Sequence, residues 1–239
     1  MRLRGMTYVV LRVLAAPLCA YLLSMLVLGL GSATGPGMQY AYLQLGLLST
    51  NRPVPVDSQV VALLAPTICL LYTTQSMFAN LTCEKTALLY RQNNLAKLAV
   101  KALCTIAACV LLFVVVEVAA SVFFDFLLGK GGLPPCEMLA TAVVRSLVFF
   151  VTVVFENALY LCAPAFVGFL VTGCLVSAVT LNLGRLTTAS LAPLFPTFHL
   201  YALSGGMGGL SVAMSYGYLG ACSVGLGLWL VRILRRHDV

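Results

Sequence analysis

The stretch "AVKALCTIAACVLLFVVVEVAASVFF", residues 99–124, carries only two charged side chains, Lys101 and Glu117. As a helix it would rise roughly 39 Å, at about 1.5 Å per residue, against a hydrocarbon layer about 30 Å thick. It is too long and too evenly apolar to keep one face in water, and it reads as a membrane span. The whole chain shares this character: 61% of its 239 residues are hydrophobic and 9% are charged, against about a quarter charged in an ordinary soluble domain. Seven acids and fourteen bases could not cover so much apolar surface against water. Lipid is the expected solvent.

Outward from this stretch, further apolar runs lie at about 8–30, 59–79, 139–159, 163–184 and 208–231, giving six spans in one domain over residues 1–239. Arg2 and Arg4 precede the first run and "GSATG" follows it, as in a signal peptide. Its apolar part exceeds the roughly 7–15 residues of a signal core, so it reads as a retained anchor. Lys and Arg concentrate on the cytoplasmic side of membrane proteins. With an inner N-terminus, that side receives Arg2, Arg4, Arg12, Lys85, Arg91, Lys97, Lys101, Arg232, Arg235 and Arg236, ten of the fourteen bases. The outside receives Arg52, Lys130 and Arg185. Both termini are expected in the cytoplasm, in a cell-membrane protein whose net charge of +7 faces anionic head groups. The bases form no aromatic-interleaved face, so no nucleic-acid partner is expected.

Leading into the opening stretch and overlapping its first residues lies a polar island, "CEKTALLYRQNNLAKLAVKAL", residues 83–103. On a helix over about 81–96, Leu81, Leu88, Leu89, Leu95 and Leu98 make an apolar side, and Glu84, Lys85, Arg91, Gln92 and Asn94 fill the remainder. It is the only expected cytoplasmic element long enough to present a surface to lipid or to a partner. The inner turn between spans four and five is short, around "ENALYLCAP". Between spans five and six, "GRLTTASLAPLFPTFHLYALSGG" is semi-apolar and broken by Pro193 and Pro196. Too short to cross, it fits a re-entrant element of the outer leaflet.

In this outline the chain resembles the permease subunits of ABC-2-type transporters, in particular small bacterial six-span permeases for peptide or bacteriocin export or immunity. The features carrying the likeness are the basic start "MRLRGMTYVVLR", the polar helix after span two, the tight turn after span four and the broken segment before span six. The family's acidic-basic pair would correspond to Glu84 and Lys85, and its following lysine to Lys97 or Lys101. Thr86 and Ala87 stand where members commonly have a glycine. The resemblance implies that 81–96 is a coupling helix, with Glu84, Lys85, Leu88, Leu89 and Arg91 meeting a separate cytosolic ABC ATPase. It further implies a second permease chain, identical or related, and export of an amphipathic or hydrophobic peptide, drug or lipid. ATP would bind the partner subunit and no cofactor would bind this chain. Accordingly, the sequence contains no G-x-x-x-x-G-K-[ST] loop.

Charges within spans are costly and mark functional positions. Counted from the outer side, Glu117 of span three and Arg145 of span four reach similar depth and are expected to form an intramembrane ion pair, with Asp125 a second possible partner nearer the surface. In span six, Gly209, Ala213, Gly217, Ala221 and Gly225 recur every four residues. Such a stripe lets helices approach closely, and it is expected to pack within the subunit before serving as a dimer seam.

Other chemistries find little support. Seven of the nine cysteines lie in or at the ends of apolar runs, and no C-x-x-C pair occurs. Cys136 is the one thiol expected to be exposed. With only His199 and His237, a His-rich zinc site is excluded. His199 and Ser204 lie within one segment, where an intramembrane serine protease needs them on facing spans. The "NLT" at Asn80 falls on the expected inner edge and is read as a chance match. The chain is therefore expected to be no enzyme and to bind no metal. The competing class is a stand-alone carrier, channel or assembly factor, although spans one to three and four to six lack the paired broken helices of an inverted-repeat carrier.

Overall fold

The structure is a computed structural model that describes residues 66–74, 95–127, 135–162, 165–181 and 212–236, together with positions 15, 19, 64, 194–196 and 199. These form α1 (66–74), α2 (Leu95–Leu127), α3 (Pro135–Cys162), α4 (Ala165–Leu181) and α5 (Val212–Arg236). The segments Val100–Ala120, Ala142–Tyr160 and Ala213–Arg232 are long and apolar enough to cross a bilayer. The described part is thus all-helical, as an integral membrane protein of this class requires. In hydrocarbon each backbone N–H and C=O must find its partner within the segment, and a helix does this.

Local sequence fits these helices. The 33 residues of α2 include neither glycine nor proline, the usual causes of a kink. α3 opens on Pro135, a first-turn position where a missing N–H costs nothing. Two residues separate α3 from α4, so the pair forms a tight antiparallel hairpin. At its closed end Gly168 lies directly on the α3 backbone: a Cβ there would come 3.0 Å from the Glu156 carbonyl oxygen and 3.3 Å from the Tyr160 nitrogen.

α3 packs against α2, α4 and α5 and is the hub of the bundle. Leu70 and Leu71 of α1, Ile106, Val110 and Phe113 of α2, Val153 and Val154 of α3 and Leu230 of α5 belong to one apolar core. Polarity is inverted relative to a soluble protein. Arg145, Glu117, Glu156 and Asn157 are buried, while Phe126 is 81% and Leu139 68% exposed. An exterior of large apolar side chains suits lipid and not water.

Several expectations meet their outcome here. α3 runs to Cys162, three residues beyond the expected end at 159, and Glu156 and Asn157 lie within the helix, before the turn as expected. Of the expected span 163–184, α4 describes Ala165–Leu181, a rise of roughly 26 Å, and 163–164 and 182–184 lie outside the described residues. Only 64 and 66–74 of the second span, and only Ala15 and Cys19 of the first, are described. Of the expected coupling helix, 81–94 lie outside the described residues, whereas Leu95 and Ala96 already belong to α2.

Candidate functional site

α2 and α3 meet in antiparallel register. Phe113 and Glu117 stand four residues apart on α2, and Arg145 and Phe149 four apart on α3, so each pair lies on one helix face. Arg145 Nε donates to Glu117 Oε2 at 2.8 Å, and Nη2 donates to Oε1 at 2.5 Å. Both side chains are buried, at 0% and 1% exposure. The two-point geometry matches the planar guanidinium to the planar carboxylate. The guanidinium carbon lies 4.9 Å from the centre of the Phe149 ring, which in turn meets Phe113 edge to face at 5.8 Å. Arg145 Nη1 has no hydrogen-bond acceptor among the described residues, and the aromatic face gives the cation a further favourable contact.

The same face of α3 continues away from the pair. Thr152 and Glu156 follow Arg145 at seven and eleven residues, two and three helical turns along. Thr152 is buried and returns its hydroxyl to the Val148 carbonyl at 2.7 Å. Glu156 is 1% exposed. Its Oε2 lies 3.4 Å from Thr74 Oγ1 of α1, and its Oε1 has no partner among the described residues. Next to it, Asn157 donates through Nδ2 to the Val153 carbonyl at 2.8 Å, while its Oδ1 stays unmatched. On α4, Thr172 is buried with no partner for its hydroxyl among the described residues, one turn from Gly168 and on the side facing α3. α3 therefore carries a ladder of buried polar groups: a closed ion pair at one level and an incompletely satisfied carboxyl about three turns away.

Beside the ion pair an open apolar groove of about 920 Å³ lies between α2 and α3, lined among others by Leu111, Val115, Val118, Leu139 and Val143. Ser146 also lines it, and its hydroxyl is returned to the Ala142 carbonyl at 2.7 Å. The groove thus offers almost purely apolar contact.

A second polar contact ties the segment before α5 to that helix. His199 is buried, its Nδ1 lies 2.9 Å from Ser215 Oγ, and its ring stacks on Tyr218 at 4.7 Å. The Tyr218 hydroxyl donates to the Leu194 carbonyl. The described part of this segment therefore packs beside the first two turns of α5.

The remaining candidates fare differently. Ala213, Gly217, Ala221 and Gly225 are all exposed, and a Cβ at Gly217 or Gly225 would meet nothing within 4 Å. Among the described residues nothing packs against the stripe. The inner face of α5 is instead Ser215, Leu219, Gly227 and Leu230, and Ser215 is two positions, or about 200°, from Ala213. Gly209, the coupling residues Glu84, Lys85, Leu88, Leu89 and Arg91, and the side chains of Asp125 and Cys136 lie outside the described residues. Glu156, Thr74, Thr172 and the His199–Ser215 contact were not singled out from sequence as a site. The signal for Glu156 is its spacing of eleven from Arg145. Among the described residues no cluster of His, Cys, Asp or Glu could hold a metal ion. Compared with known proteins, the chain matches no family model, no curated protein and no solved structure.

Proposed function

We propose that the chain is the membrane-spanning permease subunit of an ABC transporter, driven by a separate cytosolic ATPase and moving an amphipathic or hydrophobic substrate outward. The observation that carries the reading is the continuity of α2. One helix, without glycine or proline, runs from Leu95, within the polar island, to Glu117 in the buried ion pair. A push at its basic end reaches α3 without a hinge to absorb it, since packed helices move as rigid bodies. The apolar groove between α2 and α3 suits a lipid-soluble or amphipathic cargo entering from the side. In this reading the island on 81–96 is the docking helix, both termini are cytoplasmic, the segment before α5 is re-entrant in the outer leaflet, and a second permease chain completes the pathway.

The test is recovery of the ATPase with the tagged chain from its native membrane. Reversing the charges of Glu84 and Arg91 together with Leu88→Ala should release the ATPase at unchanged membrane abundance, because binding energy concentrates in a few central side chains. Equal recovery with wild-type and mutant chains would sink the proposal.

A stand-alone ion-coupled carrier is the second reading, favoured by Glu156, a buried acid with an unmatched oxygen. Transport by the purified chain in vesicles without ATP or ATPase would decide for it.

A further inference from the structure

Among the described residues two carboxyls are buried, and their surroundings differ in kind. Both oxygens of Glu117 face the Arg145 guanidinium. Around Glu156 the described residues supply no cation. The α2–α3 register that pairs 113 with 149 and 117 with 145 brings Ile106, a buried apolar residue, to the level of Glu156. Lys101 on α2 and Arg232 on α5 are exposed. α4 presents Gly168 and Thr172, α3 itself has the half-buried Tyr160 one turn on, and α1 presents Thr74.

Hydrogen counting at Thr74 decides the state of the acid. A hydroxyl has a single proton. The Leu70 carbonyl oxygen lies 2.8 Å from Thr74 Oγ1 and the Leu71 carbonyl oxygen 3.3 Å, whereas Glu156 Oε2 lies 3.4 Å away. The nearest acceptor takes the proton, and Oγ1 turns its lone pairs toward Glu156. A carboxylate would then face lone pairs in an apolar interface, with its other oxygen unmatched. A carboxylic acid with its proton on Oε2 donates to Oγ1 instead and carries no charge.

We propose that Glu156 is an intramembrane proton-binding site, which holds its proton in the packed state and thereby ties α3 to α1. Loss of the proton removes the donor and leaves a charge between the helices, so occupancy of the site controls their contact. The proposal holds whether or not an ATPase drives the chain.

The full-length protein in lipid nanodiscs at neutral pH provides the test. Dicyclohexylcarbodiimide adds the O–H of a protonated carboxyl across its C=N bond, and the acyl group then shifts from oxygen to nitrogen. Peptide mass spectrometry should find the adduct on Glu156 and not on Glu117. Independently of reagent access, the infrared difference spectrum of wild type minus Glu156→Gln should contain the C=O stretch of a carboxylic acid. A carboxylate pair of bands in its place would overturn the proposal. Replacing choline chloride by sodium chloride at fixed pH should leave the labelling unchanged, and protection by sodium would overturn it in favour of a metal-cation site. Glutamine has the shape of the neutral acid, so Glu156→Gln should fold to wild-type yield; failure to fold would also count against a bound proton.

Discussion

Arg145 has its charge neutralised by Glu117 through two hydrogen bonds in a fully buried setting. Removing one partner leaves the other charge uncompensated, a loss of about 3–5 kcal/mol in buried pairs. Arg145→Ala should therefore lower the thermal stability and folded yield of the purified protein sharply, and Arg145→Met combined with Glu117→Gln should regain part of the loss. Equal behaviour of the single and double variants would show that the two residues are uncoupled. This pair is legible in the sequence, because charges are rare in apolar runs and counting along two helices from a shared membrane face gives relative depth. Glu156 is harder to see. It lies three residues from the expected end of its span, where an acid passes for a headgroup-level residue, and its burial beside Thr74 of α1 depends on contacts between distant spans.

At the scale of elements, contact distances separate two kinds of glycine. Gly168 touches the α3 backbone, and backbone cannot step aside as a flexible side chain does. Gly168→Ala should cost about 1–3 kcal/mol, the usual range for overpacking, read as a lower melting temperature in detergent. Gly217 meets open space, so Gly217→Ala should leave the melting temperature of the monomer unchanged. The regular spacing of small residues on α5 reveals that one face differs from the rest, but spacing alone does not tell which face turns inward. The answer lies with Ser215, Leu219 and Leu230, whose burial decides the rotation of the helix. For the segment before α5, a double-mutant cycle on His199→Ala and Ser215→Ala should return a coupling of about 0.5–3 kcal/mol, as contacting residues do. Additive losses would dissociate the pair.

For the molecule as a whole, cysteine substitutions read with membrane-impermeant reagent in intact cells should find positions 35–55 and 130–136 outside, and 83–97 and 235–239 inside. Labelling of position 90 from outside would overturn the orientation and the ATPase partnership with it. Membrane character is legible from composition, since a chain with 9% charged residues has no other way to cover its surface. Helix rotation and the partnering of polar groups are not, because both depend on contacts between spans distant in sequence. The Glu117–Arg145 pair also bears on how the chain is made. A lone arginine at mid-membrane adds about 2.5–3.5 kcal/mol to the insertion of a helix. Glu117 leaves the ribosome 28 residues ahead of Arg145, so α2 can wait at the translocon and receive α3 as a neutral hairpin. Fused to a glycosylation reporter, α3 alone should insert less completely than α2 and α3 together, and Glu117→Ala should remove the advantage, making the ion pair a checkpoint of biogenesis.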